Sequence, residues 1–170
     1  MSKYWVACRG LKKLDGVLAS NIHIFKRCEK KKTLFVDLQP LQRFAYYRVR
    51  DLSTGLEQNA CYAYDEDMWF RVGHSDDEFS DRLDLLAKLV GYAWTLRGTE
   101  AQGPFYELFS YGWGLIDTAT CKKLAADFAL WKLRAEEIGN VELNFYDWYI
   151  MMERMFLMGA DNGAVRSQSS

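Results

Sequence analysis

The spacing of apolar residues changes once along this chain, near Gly73, and that change limits the fold more than any other feature. Residues 1–72 contain short β-prone runs and turn residues, whereas residues 75–158 carry apolar side chains at helical spacing. Strands and helices that occupy separate halves of a chain are typical of α+β proteins. We therefore predict an α+β fold, in which an antiparallel sheet from the N-terminal half has about three amphipathic helices from the C-terminal half packed on one face.

The strand predictions rest on five short runs bounded by charged or turn residues, at 21–26, 33–38, 43–50, 61–64 and 68–72. The charged stretch between the first two runs, RCEKKK, is typical of an exposed hairpin connection. Aromatic residues within the runs could stack on nucleic-acid bases, but in strands they more commonly pack in the core and across strands. We expect such packing for Tyr46, Tyr47, Tyr62, Tyr64 and Trp69.

Three helices are predicted in the second half. The first is capped by Ser75 and ends near Arg97 and Gly98, with one apolar stripe formed by Phe79, Leu83, Leu86, Val90 and Trp94. The second is capped by Asp117 or Thr118 and ends at Gly139. The third, residues 142–158, is apolar nearly all round and should lie between the sheet and the other helices. We expect residues 166–170 to form a frayed tail.

The length and the net charge of the chain limit its domain organisation and the partners that it can bind. A chain of 170 residues is expected to form one domain, because this length supports one core. The 22 basic and 23 acidic residues nearly cancel, so direct nucleic-acid binding is not expected. The four cysteines form no CxxC pair, and neither a signal peptide nor a membrane span is apparent. These features predict a cytoplasmic protein with reduced, buried cysteines.

No motif for catalysis or for metal binding appears in the sequence. His23 and His74 are the only histidines, and neither stands near enough further ligands to predict a metal site. The spacing of the glycines matches no nucleotide-binding loop, and no serine or cysteine nucleophile motif is present. We therefore predict no cofactor, no metal and no enzymatic activity. The alternative is a small enzyme acting on a nucleotide or small molecule, for example through Tyr64, Glu66 and Arg71.

Charged runs and one tryptophan are the candidate partner-binding residues. Clustered like charges usually form a solvated face, but an acidic cluster on one face would also steer a basic partner. The candidate acidic residues are Asp65, Glu66, Asp67, Asp76 and Asp77. The candidate basic residues are Lys30, Lys31 and Lys32, which follow Lys26 and Arg27. Trp113, between two glycines, is expected either to cover the core, which is the more common state of a tryptophan, or to serve as an exposed anchor.

Four strings in the C-terminal half carry a family resemblance. They are Gly73, Phe79 and Arg82 leading into LAKLVG at 86–91, then PFYELFS at 104–110, CKKLAADF at 121–128 and GADNGAV at 159–165. In order and spacing this half resembles an uncharacterised family of small bacteriophage and prophage proteins. In that family an acidic loop follows the second string, whereas here the loop reads YGWG at 111–114. The resemblance implies a phage or prophage source and no established activity.

Together these features lead to three hypotheses about function. The first is a non-catalytic phage or prophage protein that binds a host protein or ribonucleoprotein and inhibits a defence system such as a CRISPR complex. The second is the small enzyme named above. The third is a homodimeric accessory protein with the apolar last helix at its interface.

Overall fold

The computed structural model describes residues 3–14, 33–35, 55–57, 60–94, 103–109 and 114–169. The strands are β1 (Lys3–Arg9), β2 (Lys12–Lys13), β3 (Thr33–Phe35), β4 (Cys61–Ala63), β5 (Glu66–Gly73), β6 (Leu115–Ile116) and β7 (Ala164–Ser169). The helices are α1 (Asp76–Val90), the short α2 (Tyr106–Phe109), α3 (Thr118–Ile138) and α4 (Phe145–Ala160). The predicted α+β class is confirmed.

The main sheet has four antiparallel strands in the order β5-β1-β7-β6. Side chains alternate across it, so Trp5 and Ala7 face the helices while Tyr4 and Val6 face the opposite side. On the helix side, Trp5 contacts the rings of Phe79 and Phe156 at centroid distances of 5.5 and 6.0 Å. The apolar core therefore lies between this sheet and α1, α3 and α4.

The expected fraying of residues 166–170 is wrong for all that the structure describes of them. Residues 164–169 form β7, which pairs with β1 along one edge and with β6 along the other. Val165 is fully buried in the helix-side core. The polar tail sequence reads as solvent-exposed, but backbone hydrogen bonds to strands on both sides fix it. Two of the four strands of the main sheet thus come from the C-terminal half.

A second sheet, in the order β2-β4-β3, belongs to the N-terminal half. A smaller core accompanies it at one end of the main sheet, on the side away from the helices. Its buried members are Cys8, Leu11, Leu115 and Ala164, with Leu56, Tyr62 and Tyr64 packed against them. This cluster covers only the Cys8 end of that face.

Helix capping agrees with the sequence at three ends. The Ser75 hydroxyl accepts a hydrogen bond from the Glu78 amide at 3.1 Å. The Asp117 carboxylate accepts one from the Thr120 amide at 2.8 Å, so Asp117 is the cap of α3. That helix ends at Ile138, directly before Gly139, as predicted.

The first helix is shorter than its apolar stripe suggests. Gly91 adopts a left-handed conformation (φ +69°), and α1 ends at Val90 instead of near Arg97 and Gly98. Trp94, predicted to lie on the stripe, follows the helix and packs its ring against Tyr92 and Phe109. Trp94 is apolar because it packs in this aromatic cluster. Its position in the sequence matches the helical repeat even though it lies beyond the end of the helix.

The last helix is displaced at both ends from the predicted residues 142–158. Leu143 and Asn144 have positive φ angles of 54° and 49°, so the helix cannot begin before Phe145. At the other end the helix continues through Gly159 to Ala160, and a side chain at position 159 is excluded because a Cβ there would lie 2.6 Å from the Cys121 sulfur. This glycine permits close helix packing and does not terminate α4, which lies in the core as predicted.

Several predictions fall outside the described residues. They are the runs at 21–26 and 43–50, the part of the 33–38 run after Phe35, His23, Lys30, Lys31, Lys32 and Trp113.

Candidate functional site

The first group of predicted acidic residues lies at the start of β5 and is paired. Glu66 forms an ion pair with Arg9 at 2.7 Å, and Asp65 lies 3.6 Å from the ammonium of Lys12. Asp67 accepts a hydrogen bond from the Tyr64 hydroxyl at 3.2 Å. These carboxylates join β5 to neighbouring segments.

The second acidic group lies at the other end of the same strand. Asp76 pairs with the buried Lys3 at 2.9 Å, and Asp77 is exposed in the first turn of α1. Glu66 and Gly73 are seven positions apart on the strand, which corresponds to about 23 Å. The acidic residues therefore form two groups at opposite ends of β5, not one continuous patch.

The residues suggested for a catalytic site are not brought together. Glu66 and Arg71 are five positions apart on β5, about 16 Å, and side chains five positions apart point to opposite faces of a strand. Tyr64 is held by Asp67, and burial, reinforced by that carboxylate, raises the pKa of its hydroxyl to about 12. Such a hydroxyl ionises too reluctantly to act as a base near neutral pH.

The predicted buried state is confirmed for the three cysteines that the structure describes. Cys8, Cys61 and Cys121 are free thiols with little exposure. Burial raises the pKa of all three, to about 11 for Cys8 from its usual 9.0. Buried neutral thiols are poor nucleophiles, so these cysteines serve the core.

This burial predicts slow alkylation in the folded protein. At pH 8 the Cys8 thiolate fraction should be about 100-fold lower than for a thiol of pKa 9.0, since the pKa difference is two units (11 minus 9.0). Mass spectrometry after timed iodoacetamide labelling should show Cys8 modified at least 100-fold more slowly in buffer than in urea, and Cys61 and Cys121 also modified more slowly in buffer. Equal rates in the two solvents would contradict the buried assignment.

An aromatic and cationic face lies on the side of the main sheet away from the helices, and we call it the open face. It comprises Tyr4, Val6, Trp69, Arg71 and Arg166, which share one side by strand alternation and register. Val6 on β1 stands between Trp69 on β5 and Arg166 on β7. Trp69 is 56% exposed, contrary to the expectation that it would pack in the core.

The sequence held a signal for this exposure. On β5, Met68, Phe70 and Val72 alternate with Asp67, Trp69 and Arg71. The first set packs against the helix-side core. A tryptophan that alternates in step with an aspartate and an arginine shares their solvent-facing side.

A groove of about 340 Å³ opens at the outer edge of β5, where this edge strand meets α1 and the start of α4, and we call it the β5 groove. Its polar lining is Arg71, His74, Arg82, Asn144 and Asp147. Its apolar lining is Phe70, Trp148 and Met151. Arg71 belongs to both the groove and the open face, so the two form one continuous surface.

Arg82, on α1, connects the elements that line the groove, because it bonds to β5 and to the turn before α4. Its guanidinium donates to the carbonyl oxygen of Val72 at 2.8 Å and to that of Leu143 at 3.2 and 2.9 Å. It also pairs with Glu78 at 2.7 Å. Burial lowers the pKa of Arg82, Glu78 raises it, and the positive charge of Arg71 lowers it. Both guanidinium groups line the groove, where Glu78 offsets the charge of Arg82.

The exposed apolar side chains of the helices bear on the third hypothesis, a homodimer with the last helix at its interface. Most apolar side chains of α4 are buried in the core of the single chain, whereas Leu157 on the same helix is 55% exposed, and the homodimer stays a prediction. The most exposed leucines of the described helices are Leu130 and Leu133 on α3, at 77% and 76%.

Comparison with protein-family models, with curated proteins and with solved structures finds no match. Within the described ranges, no three histidine, cysteine or acidic residues are grouped so as to hold a metal ion. None of the helices that the structure describes has the length and apolar character needed to cross a membrane.

Proposed function

We propose that this protein is a non-catalytic binding protein that attaches to a host macromolecule through the open face. The observation that carries the proposal is Trp69, a large aromatic side chain that is 56% exposed on a rigid strand. Tryptophan and arginine are the residues most enriched among binding hot spots. Trp69 has Arg71 beside it on the strand and Arg166 across Val6.

The charge of this face suggests the chemistry of the partner. In the described part of the chain, neither Arg71 nor Arg166 forms an ion pair, while the acidic groups of β5 and α1 are engaged with Arg9, Lys12 and Lys3. A carboxylate-rich protein surface around an apolar pocket would complement the open face. We infer a host protein or ribonucleoprotein complex with such a surface as the partner, rather than free nucleic acid.

The resemblance of the C-terminal half to small phage proteins supports a more specific version of the proposal. In this version the protein acts in the host cytoplasm and inhibits a bacterial defence complex, such as a CRISPR complex, by occupying an acidic functional surface. Binding by a rigid sheet face would need no catalytic residue and no cofactor.

Replacing Trp69 by alanine should release the partner. A central tryptophan commonly contributes about 2–4 kcal/mol, so the W69A variant should bind at least 30-fold more weakly. The tagged protein would be expressed in a bacterial host, and co-purifying proteins quantified by mass spectrometry. We expect the wild type to recover one host complex at fixed stoichiometry and W69A to lose it. The purified complex would then provide the measured affinity.

The L130A variant is the matched control, because Leu130 is also exposed but lies on α3. It should retain the complex, and both variants should melt within a few degrees of the wild type. Recovery of the same complex by W69A would contradict the assignment of the open face. For the defence-inhibition version, wild type but not W69A should restore plating of a CRISPR-restricted phage.

A further inference from the structure

The β5 groove combines two positive guanidinium groups with an apolar floor, and neither the open-face proposal nor the core packing accounts for that combination. Arg71 is exposed and forms no ion pair within the part of the chain that the structure describes. Arg82 lines the same groove and is 9% exposed, and its charge is already offset by Glu78 at 2.7 Å. An anion between the two guanidinium groups would therefore chiefly offset the charge of Arg71.

Arg82 retains donor capacity toward such an anion. Four of its five N–H donors are used by the carbonyls of Val72 and Leu143 and by Glu78. One Nη1 proton has no acceptor among the described residues. The other four bonds fix the guanidinium plane, so this donor is preorganised. A ligand that accepts a hydrogen bond from it therefore binds with little loss of side-chain entropy.

The remaining lining fits a flat apolar group with polar edges. Phe70 and Met151, which are partly buried, provide aromatic and thioether surface, and Trp148, 2% exposed, lies at the base of the groove. Asn144 and Asp147, which are exposed at the start of α4, provide an amide and a carboxylate. The Asp147 carboxylate would repel an anion placed beside it, but it would accept a hydrogen bond from an amino group. The groove therefore favours a ligand with an anionic end and an amino-bearing planar end.

We propose that the β5 groove binds a nucleoside monophosphate, with its phosphate at Arg71 and Arg82 and its base on Phe70 and Met151, next to the buried Trp148. Arg71 is suited to phosphate because the donors of a guanidinium group match two phosphate oxygens at once, and Arg82 adds its one remaining donor. A volume of about 340 Å³ falls within the range typical of small-ligand sites. The monophosphate could be a free nucleotide or the phosphorylated end of a nucleic-acid strand, which present the same chemistry. This inference does not depend on the partner proposed for the open face.

Titration monitored by ¹H–¹⁵N NMR tests the proposal with four probes: AMP, adenosine, inorganic phosphate and a 5′-phosphorylated dinucleotide. The Trp148 indole N–H is a suitable reporter, because it is buried and makes no hydrogen bond within the described residues. We expect AMP to shift this signal and the Asn144 side-chain amide signals, and to bind at least 10-fold more tightly than adenosine or phosphate. Binding of the dinucleotide as tightly as AMP would identify a strand end as the source, and binding of AMP alone would identify the free nucleotide.

The R71E variant should bind AMP at least 10-fold more weakly while keeping the wild-type spectrum elsewhere. K122E makes the same charge change at an exposed position on α3 and should bind within two-fold of the wild type. W69A should also bind AMP normally, because Trp69 does not line the groove, whereas Arg71 belongs to both surfaces. The proposal is overturned if 10 mM AMP leaves the Trp148 signal unmoved. Equal affinities for phosphate and AMP, or equal binding by R71E, would overturn it too.

Discussion

A chain that ends after Gly163 will not fold cooperatively. This truncation removes β7, the strand that joins β1 to β6 in the main sheet. We expect the truncated protein to show no cooperative thermal transition by circular dichroism and to lose the wide amide dispersion of a packed protein in its NMR spectrum. A frayed tail, which the sequence favours, would predict a wild-type melting curve.

Two losses combine to produce this effect. Residues 3–8 of β1 pair with residues 164–169, so the deletion leaves one whole edge of the longest inner strand without hydrogen-bond partners. The deletion also removes Val165, which is fully buried against the helices. The free energy of unfolding of a protein of this size is only about 5–15 kcal/mol, and both losses reduce it.

A full-length variant separates the role of the strand from that of chain length. V165D places a carboxylate at a fully buried position and should lower the free energy of unfolding by more than about 3 kcal/mol. L157D introduces the same side chain at a position of α4 that is 55% exposed, and it should cost less than about 1 kcal/mol. Removing Ser170 alone, beyond the end of β7, should leave the melting temperature unchanged. A truncation after Gly163 that melts like the wild type would contradict the central placement of β7.

Local signals in the sequence are sufficient for the fold class and for most helix ends. Ser75 and Asp117 each place a hydrogen-bond acceptor within reach of an amide two or three positions ahead, so their role as caps depends on neighbouring residues alone. The alternation of residues 68–72 likewise depends only on the strand itself. Each of these features can be read without knowledge of the rest of the chain.

The parts that were missed depend on residues far apart in the sequence. The polar tail is ordered because it pairs with β1, about 160 residues away in the chain. Gly159 reads as a helix end, yet it lies within α4 and is glycine because the Cys121 sulfur occupies the space that a side chain would need. The β5 groove joins β5, α1 and the Leu143–Asn144 turn through Arg82. No local pattern reports these contacts, so neither the tail strand nor the groove could be predicted.

Gly163 is the position where a single added methyl group should cost the most. A Cβ there would overlap the carbonyl oxygen of Cys8 on β1 and would lie 3.0 Å from the carbonyl oxygen of Met158. The φ angle of Gly163 is not among the positive ones, so the requirement for glycine is one of space rather than of backbone conformation. Backbone atoms surround the site, and they cannot turn aside as a flexible side chain would.

The G163A variant should therefore be less stable than the wild type by about 3–5 kcal/mol, combining overpacking with the disturbance of nearby hydrogen bonds. Those bonds resist the shift that would make room: the Gly163 amide donates to Gly159 at 3.0 Å, and its carbonyl accepts from the Thr118 hydroxyl at 2.6 Å. Urea unfolding followed by tryptophan fluorescence would measure the loss. The matched control is G103A, where no atom lies within 4 Å of the added Cβ, and its stability should stay within about 1 kcal/mol of the wild type. If G163A unfolded at the same urea concentration as G103A, the tight junction between α4, β1 and β7 would be wrong.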